Sequence, residues 1–239
     1  MIPLLLLFTA AAFSQERPAP GPTPKYEVRR APSRITVDGR LDDPAWRAAA
    51  IAELLFPWSA QTGAKQKTAV RLLWDADYLY AAYQCDDADV VAHFDKRDDP
   101  TYRDDAVELF INPKPSQNFY YGLEMNARAT LYDYFYAHPQ LLLKRIDFSG
   151  VLLATHVDGT LNQTSDKDRG WTLELAIPWK NFDELGASAA PPPGTVWTAN
   201  LNRWDGTEPA RRLSVWSDPD LPRPSPHNPK RFGQLEFVP

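Results

Sequence analysis

The sequence holds a single cysteine, Cys85, in 239 residues. An intrachain disulfide is therefore excluded, and the thiol is expected to behave as a small buried hydrophobe. Basic surplus is also missing. Lys and Arg number 26 against 31 Asp and Glu, a formal charge of -5, which argues against nucleic acid as a partner because no excess cations are present to neutralise phosphates. Long helices are excluded by 23 prolines, which break helix interiors and favour turns, edges and loops. There is no G-x-G-x-x-G, Walker, H-E-x-x-H or C-x-x-C pattern and no G-x-S-x-G elbow. The four histidines (93, 138, 156 and 227) do not fall at metal-ligand spacings. No apolar run is long enough to make a transmembrane segment.

What is present begins with the apolar stretch MIPLLLLFTAAA, which is followed by the small-x-small triplet Ala12-Phe13-Ser14. This pattern predicts a signal peptide over residues 1–14, although its start carries no Lys or Arg; the alternative is a buried N-terminal strand. No cysteine follows, so a lipid anchor is not expected. The protein is expected to be exported, periplasmic or secreted. Residues 15–33 alternate proline with small and charged residues, as an extended tether does. A first strand is allowed near residues 26–29. Residues 34–239 have globular texture and no internal repeat, and are expected to form one monomeric domain.

Period-2 alternation dominates that domain. Residues 68–74 and 78–85 flank the polar turn Asp75-Ala76-Asp77 and predict a hairpin. Further strands are predicted over 106–111, 119–126, 129–136, 151–157, 171–177, 196–203 and 234–238. Helical signals are limited to one turn near 46–51 and another at 179–185. Many short strands without intervening amphipathic helices predict an all-β fold: an antiparallel β-sandwich of jelly-roll or immunoglobulin-like architecture, with one or two short helices. The inner faces would form the core, leaving outer faces for a ligand.

Three groups of residues could carry chemistry. By strand parity Glu108 and Glu124 lie off the core face, with Asn126 beside them. They could be a glycosidase acid and base pair, acceptors for sugar hydroxyls, or solvated glutamates. No third group tunes them, so binding is favoured over catalysis. The run Asp98, Asp99, Tyr102, Asp104 and Asp105 offers hard oxygen ligands suited to Ca²⁺, at a spacing unlike an EF-hand. The segment 214–233 is a proline-stiffened arm that would hold His227 pre-organised. Its Trp216 and Phe232 are expected to plug the sandwich.

With these residues named, a resemblance emerges. The motifs run in order: Ile35-Thr36-Val37-Asp38-Gly39 with Leu41-Asp42-Asp43-Pro44-Ala45-Trp46; Leu73-Trp74-Asp75; Asp105-Ala106-Val107-Glu108-Leu109-Phe110; Tyr121-Gly122-Leu123-Glu124-Met125-Asn126; Val157-Asp158-Gly159-Thr160-Leu161-Asn162; Gly170-Trp171-Thr172-Leu173-Glu174; and Trp216-Ser217 through to Phe232-Gly233. Together they resemble family 9 carbohydrate-binding modules, in particular the stand-alone exported family 9-like proteins of bacteria. The resemblance implies a sandwich that binds glycans without cleaving them, requires no cofactor for binding, and takes structural calcium elsewhere. In such modules two aromatic rings clamp a terminal sugar. Tyr102 matches the first ring, Glu108 the strand glutamate, and Glu124 and Asn126 the polar contacts. At the second ring this chain has Pro226-His227-Asn228, so His227 is the expected, weaker stacking partner.

The leading expectation is therefore oligosaccharide or polysaccharide binding at Tyr102, Glu108, Glu124, Asn126 and His227, in support of glycan capture or degradation. A haem-binding sandwich of an exported electron-transfer system is the alternative, with Met125 and the histidines as its available ligands. A glycoside hydrolase is the third reading, and the least favoured.

Overall fold

A computed structural model describes residues 19–138, 141–143 and 146–239; the signal-peptide expectation lies outside them. Thirteen strands are present among the described residues: β1 (Lys25–Arg30), β2 (Ala52–Glu53), β3 (Thr68–Trp74), β4 (Tyr78–Asp86), β5 (Ala106–Asn112), β6 (Tyr120–Asn126), β7 (Leu131–His138), β8 (Leu141–Leu143), β9 (Leu152–Asp158), β10 (Gly170–Pro178), β11 (Val196–Asp205), β12 (Arg212–Val215) and β13 (Gly233–Val238). They form one curled path, β8-β7-β6-β5-β11-β13-β1-β3-β4-β10-β9, with β12 added to β11 and β2 to β3.

The sheet is mixed. β1 runs parallel to both β13 and β3 and joins the two halves of the path, which corrects the antiparallel expectation. All other pairs are antiparallel, including the predicted β3–β4 hairpin. The expected helical turns are short 3-10 turns, Pro44–Ala48 and Trp179–Leu185.

The alternation in sequence explains the core. Val107, Leu109 and Ile111 of β5 and Leu123 and Met125 of β6 face inward, and meet Leu72, Tyr83, Leu173, Leu175 and Ile177 of the other half. Cys85 and Trp216 are buried in the same core. At its rim Arg203, fully buried, donates to Asp87 Oδ2 at 2.9 Å and Asp205 Oδ1 at 2.7 Å.

Neither outer face is bare. Over β3, β4 and β10 the segment carrying Ile35, Ala45 and Trp46 packs on Leu73, Tyr80 and Ala176. Glu174 holds it there, accepting from the Asp38 and Gly39 amides and from Trp46 Nε1 at 2.7–3.0 Å. The motif at residues 35–46 is therefore a lid over one outer face. Over β5, β6 and β7 a layer of rings takes its place: Phe110, Tyr120, Tyr132, Tyr134, Tyr136 and Phe232.

Candidate functional site

The ring layer encloses a cavity of about 420 Å³. Glu108 and Glu124 lie in it as cross-strand partners in β5 and β6. Both are buried, at 1% and 4% exposure. Like charges directly opposite one another are unfavourable, and each needs hydrogen bonds to remain. Glu108 Oε2 accepts from Asn202 Nδ2 of β11 at 3.2 Å, and Glu124 Oε1 accepts from the Tyr134 hydroxyl at 2.8 Å. Burial pushes the Glu108 carboxyl up to about 7, against the nearby Arg211 charge and donors from Asn202 and Trp204 that pull it down.

Each wall of the cavity has a local cause. Tyr102 sits in the 3-10 turn Thr101–Arg103, which is pinned to β6 by the Thr101 hydroxyl donating to the Glu124 carbonyl at 3.0 Å. Its ring meets Tyr132 edge-on at 5.8 Å. Tyr134 crosses β6 directly above Gly122, where a Cβ would lie 2.3 Å from the ring. Only glycine lets the tyrosine reach Glu124. Opposite, the Arg211 guanidinium lies 4.4 Å from the Trp204 ring centre and donates to the Asp104 carbonyl.

The arm at residues 217–231 closes the far side. The Ser217 hydroxyl donates to the Arg231 carbonyl, Asn228 Nδ2 to the Pro219 carbonyl, and Trp58 Nε1 to the Leu221 carbonyl. These bonds set His227 into the ring layer. Tyr120 and Tyr136 stack face to face at 4.5 Å, so the ring normals point across the strands. His227 is nearly parallel to Tyr136 (6°, 5.5 Å) and to Phe110 (20°, 5.1 Å). Tyr120 itself stands between those two rings, 5.0 Å from Phe110 and 4.5 Å from Tyr136, and His227 lies alongside it with ring centres 6.4 Å apart. Its Nδ1 is 2.6 Å from the Tyr120 hydroxyl, and burial pushes its pKa down to about 4, so the ring is neutral at neutral pH. His227 is partly buried against these rings and also lines the cavity.

The structure thus brings Tyr102, Glu108, Glu124 and His227 to one cavity and holds Asn126 apart. The Asn126 amide donates to the Phe94 carbonyl and Asp104 Oδ2, and its oxygen accepts from the Arg128 and Thr130 amides. That side chain ties loops together. Sequence reasoning missed Tyr132, Tyr134, Tyr136, Asn202, Trp204 and Arg211. The parity of strands 129–136 and 196–203 would have put the three tyrosines and Asn202 on the same face, while Trp204 and Arg211 lie beyond those ranges.

The haem alternative finds no support. Met125 packs in the inter-sheet core, on the opposite face of β6 from the ring layer that encloses His227.

The acidic run does not form one site. Asp104 Oδ2 accepts from the Phe94 amide, and Asp99 from the Lys96 amide. Asp105 joins Asp87 and Asp205, while Asp98 joins Asp133 and Asp147. The first group does not fit a metal, because the Arg203 and Arg212 guanidiniums already bind Asp87 and Asp205. In the second, Arg97 donates to both Asp133 oxygens, but that arginine is 41% exposed and Asp98 and Asp147 face solvent.

Comparison with known proteins follows this geometry. The family model described as "Carbohydrate family 9 binding domain-like" matches residues 37–238. No curated protein sequence matches the chain significantly. A putative carbohydrate-binding protein from Bacteroides uniformis ATCC 8492 is similar in structure, with TM-score 0.77 and 19% identity over 90% of this chain and 99% of that one. A family 9 carbohydrate-binding module from Caldicellulosiruptor kristjanssonii, in complex with cellotriose, has TM-score 0.61 and 17% identity over 90% and 93%. The same organism's module in complex with glucose gives 0.59 and 17% over 89% and 95%. At these identities the structures speak for the fold, and the family model speaks for the family. The chain belongs to the carbohydrate family 9 binding domain-like family.

Proposed function

We propose that the protein binds glycans without cleaving them, in the cavity between Tyr102 and His227. The observation that carries this reading is the pair Glu108 and Glu124, buried side by side among aromatic rings with Arg211 at the rim. Carboxylates and a guanidinium read sugar hydroxyls, and rings receive the apolar face of a pyranose. A glycosidase needs its two carboxyl groups on either side of the scissile bond. Here they are neighbours on one sheet face, each committed to a protein donor, which favours binding over turnover.

The modules from Caldicellulosiruptor kristjanssonii hold cellotriose and glucose, so glucose and cello-oligosaccharides are the first probes, followed by a glycan panel. Isothermal titration is expected to show saturable binding that is weakened by Tyr102→Ala. A folded protein that binds no glycan at millimolar concentration removes the reading.

The same reading makes the protein an exported monomer, directed by its apolar N-terminus to the periplasm or beyond, where captured glycan is degraded. Among the described residues no helix is long and apolar enough to cross a membrane. Sugar binding needs no cofactor. A structural calcium, as the resemblance implies, would be held by Asp98, Asp133 and Asp147 once Arg97 gives way, and a thermal midpoint unchanged between calcium and chelator speaks against it.

A further inference from the structure

We infer that the protein carries a second ligand site, away from the ring layer, which takes a sugar acid through its carboxylate. The site is a hollow of about 430 Å³ on the outer face of β2, β3 and β4, in the other half of the sheet path. That volume is in the range of small-molecule sites, roughly 300–1,000 Å³. The hollow shares no lining residue with the ring-layer cavity, so the inference stands apart from the glycan-binding reading above.

Strand parity makes the hollow. Val70 and Leu72 of β3 point into the core, so Lys67, Ala69 and Arg71 alternate on the outer face. The pairing register sets Glu53 of β2 and Gln84 of β4 on either side of Ala69. A single methyl group therefore stands at the centre of a cross of four longer polar side chains, and a hollow opens above it. The lid at residues 35–46 packs on Leu73, Tyr80 and Ala82 of the same face, and the hollow lies beyond it. Ile51 and Phe56 add an apolar wall, with Ile51 53% exposed.

The charges select the ligand. Lys65, Lys67 and Arg71 line the hollow against Glu53 and Asp86, which makes it locally basic in a chain of net charge -5. Among the described residues none of these five groups is ion-paired with another. Lys65 Nζ lies 5.8 Å from the Phe56 ring centre, and Arg71 donates to Gln84 Oε1 at a long 3.4 Å. Three cations without a carboxylate partner favour an anion, and charge-assisted bonds to it are the strong ones. The two carboxylates oppose a multiply charged group such as a phosphate monoester, and leave a single carboxylate as the complement. Glu53, Asp86 and Gln84 accept from hydroxyls, and the Phe56 wall receives an apolar face. A sugar acid carries all three features on one ring.

The test is titration of the full chain, isotopically labelled, with glucuronate and galacturonate, followed through amide chemical shifts. The amides around Ala69 are expected to move saturably for at least one of the two. Lys67→Gln and, separately, Arg71→Gln should each weaken that binding about tenfold, as loss of one charge-assisted contact does. Ala69→Val keeps every charge but fills the hollow, and should abolish binding; a denaturation midpoint close to the wild type shows that each variant is folded. Sugar acids that move no amide, or only those of β5, β6 and β7, would overturn the site. Methyl glucoside or glucose 6-phosphate binding there as tightly as the sugar acids would overturn the role of the carboxylate. Each of these results leaves the binding of neutral glycans at the ring layer to its own titration.

Discussion

Replacing Glu108 by glutamine tests the electrostatics of the site directly. Burial moves this carboxyl from 4.5 to about 7, so the folded protein holds the proton more tightly than the unfolded chain. The sign follows from linkage. Below pH 4.5 both states are protonated and the group contributes nothing. As pH rises towards 7 the unfolded chain ionises first and stability falls; above 7 the penalty is constant. At about 1.4 kcal/mol per pKa unit, the ionised form costs the fold roughly 3 kcal/mol. Glutamine mimics the protonated acid and keeps an acceptor for Asn202 Nδ2. Asn202 Oδ1 is buried and has no partner among the described residues, so a proton on Glu108 finds an acceptor there once that amide turns over. Burial also pushes up Asp87, Asp105, Asp133 and Glu174, and the wild-type pH profile alone therefore identifies no single group. The difference between wild type and Glu108→Gln cancels those terms. Measured by urea denaturation, the variant should gain roughly 2.5 kcal/mol on the wild type between about pH 5 and about pH 8. A difference that does not change with pH would refute the buried, proton-holding Glu108.

His227 provides the opposite case, because its folded pKa is pushed down to about 4 from 6.5. The unfolded chain binds the proton first as pH falls, so His227→Phe, which keeps a ring in the stack, should gain up to roughly 3 kcal/mol on the wild type between about pH 7 and about pH 4 in the same denaturation assay. Arg203→Met leaves Asp87 and Asp205 buried without their guanidinium and should cost about 3–5 kcal/mol in chemical denaturation. The exposed pair Arg169–Asp158 makes the control, and Arg169→Ala should leave the midpoint unmoved.

Much of the fold was legible because a half-buried strand writes its faces into alternate residues. The alternation at 106–111 and 119–126 assigned the inward side chains of β5 and β6 correctly, and Trp171, Leu173, Leu175 and Ile177 did so for β10. Alternation says nothing of a neighbour's direction, and so the parallel pairing of β1 could not be read from Tyr26 and Val28. It also fails over short stretches. β12 occupies Arg212–Val215, at the start of a segment whose prolines suggested only an arm. The site was legible to the same depth. Parity put Glu108 and Glu124 on one surface, and applied to residues 132–136 it would have exposed the tyrosines alternating along β7. Arg211 lies outside any periodic run and is placed by its stacking on Trp204.

His227 shows where reading position by position ends. The segment 226–228 can be read in the chain, but the setting of its ring against Phe110, Tyr120 and Tyr136 is created only by the pairing of β5, β6 and β7. The same pairing supplies what a loop tryptophan would otherwise provide. Tyr132, Tyr134 and Tyr136 stand on one strand, buried to 4% exposure or less and packed ring against ring. Rings fixed by a sheet lose little freedom when a ligand arrives, whereas a loop ring must first be ordered. On the proposed reading such rings take the apolar face of a pyranose, and discrimination falls to the polar groups Glu108, Glu124 and Arg211. Variants of the tyrosines should then weaken all bound sugars together, and variants of those three polar groups should change which sugar is preferred.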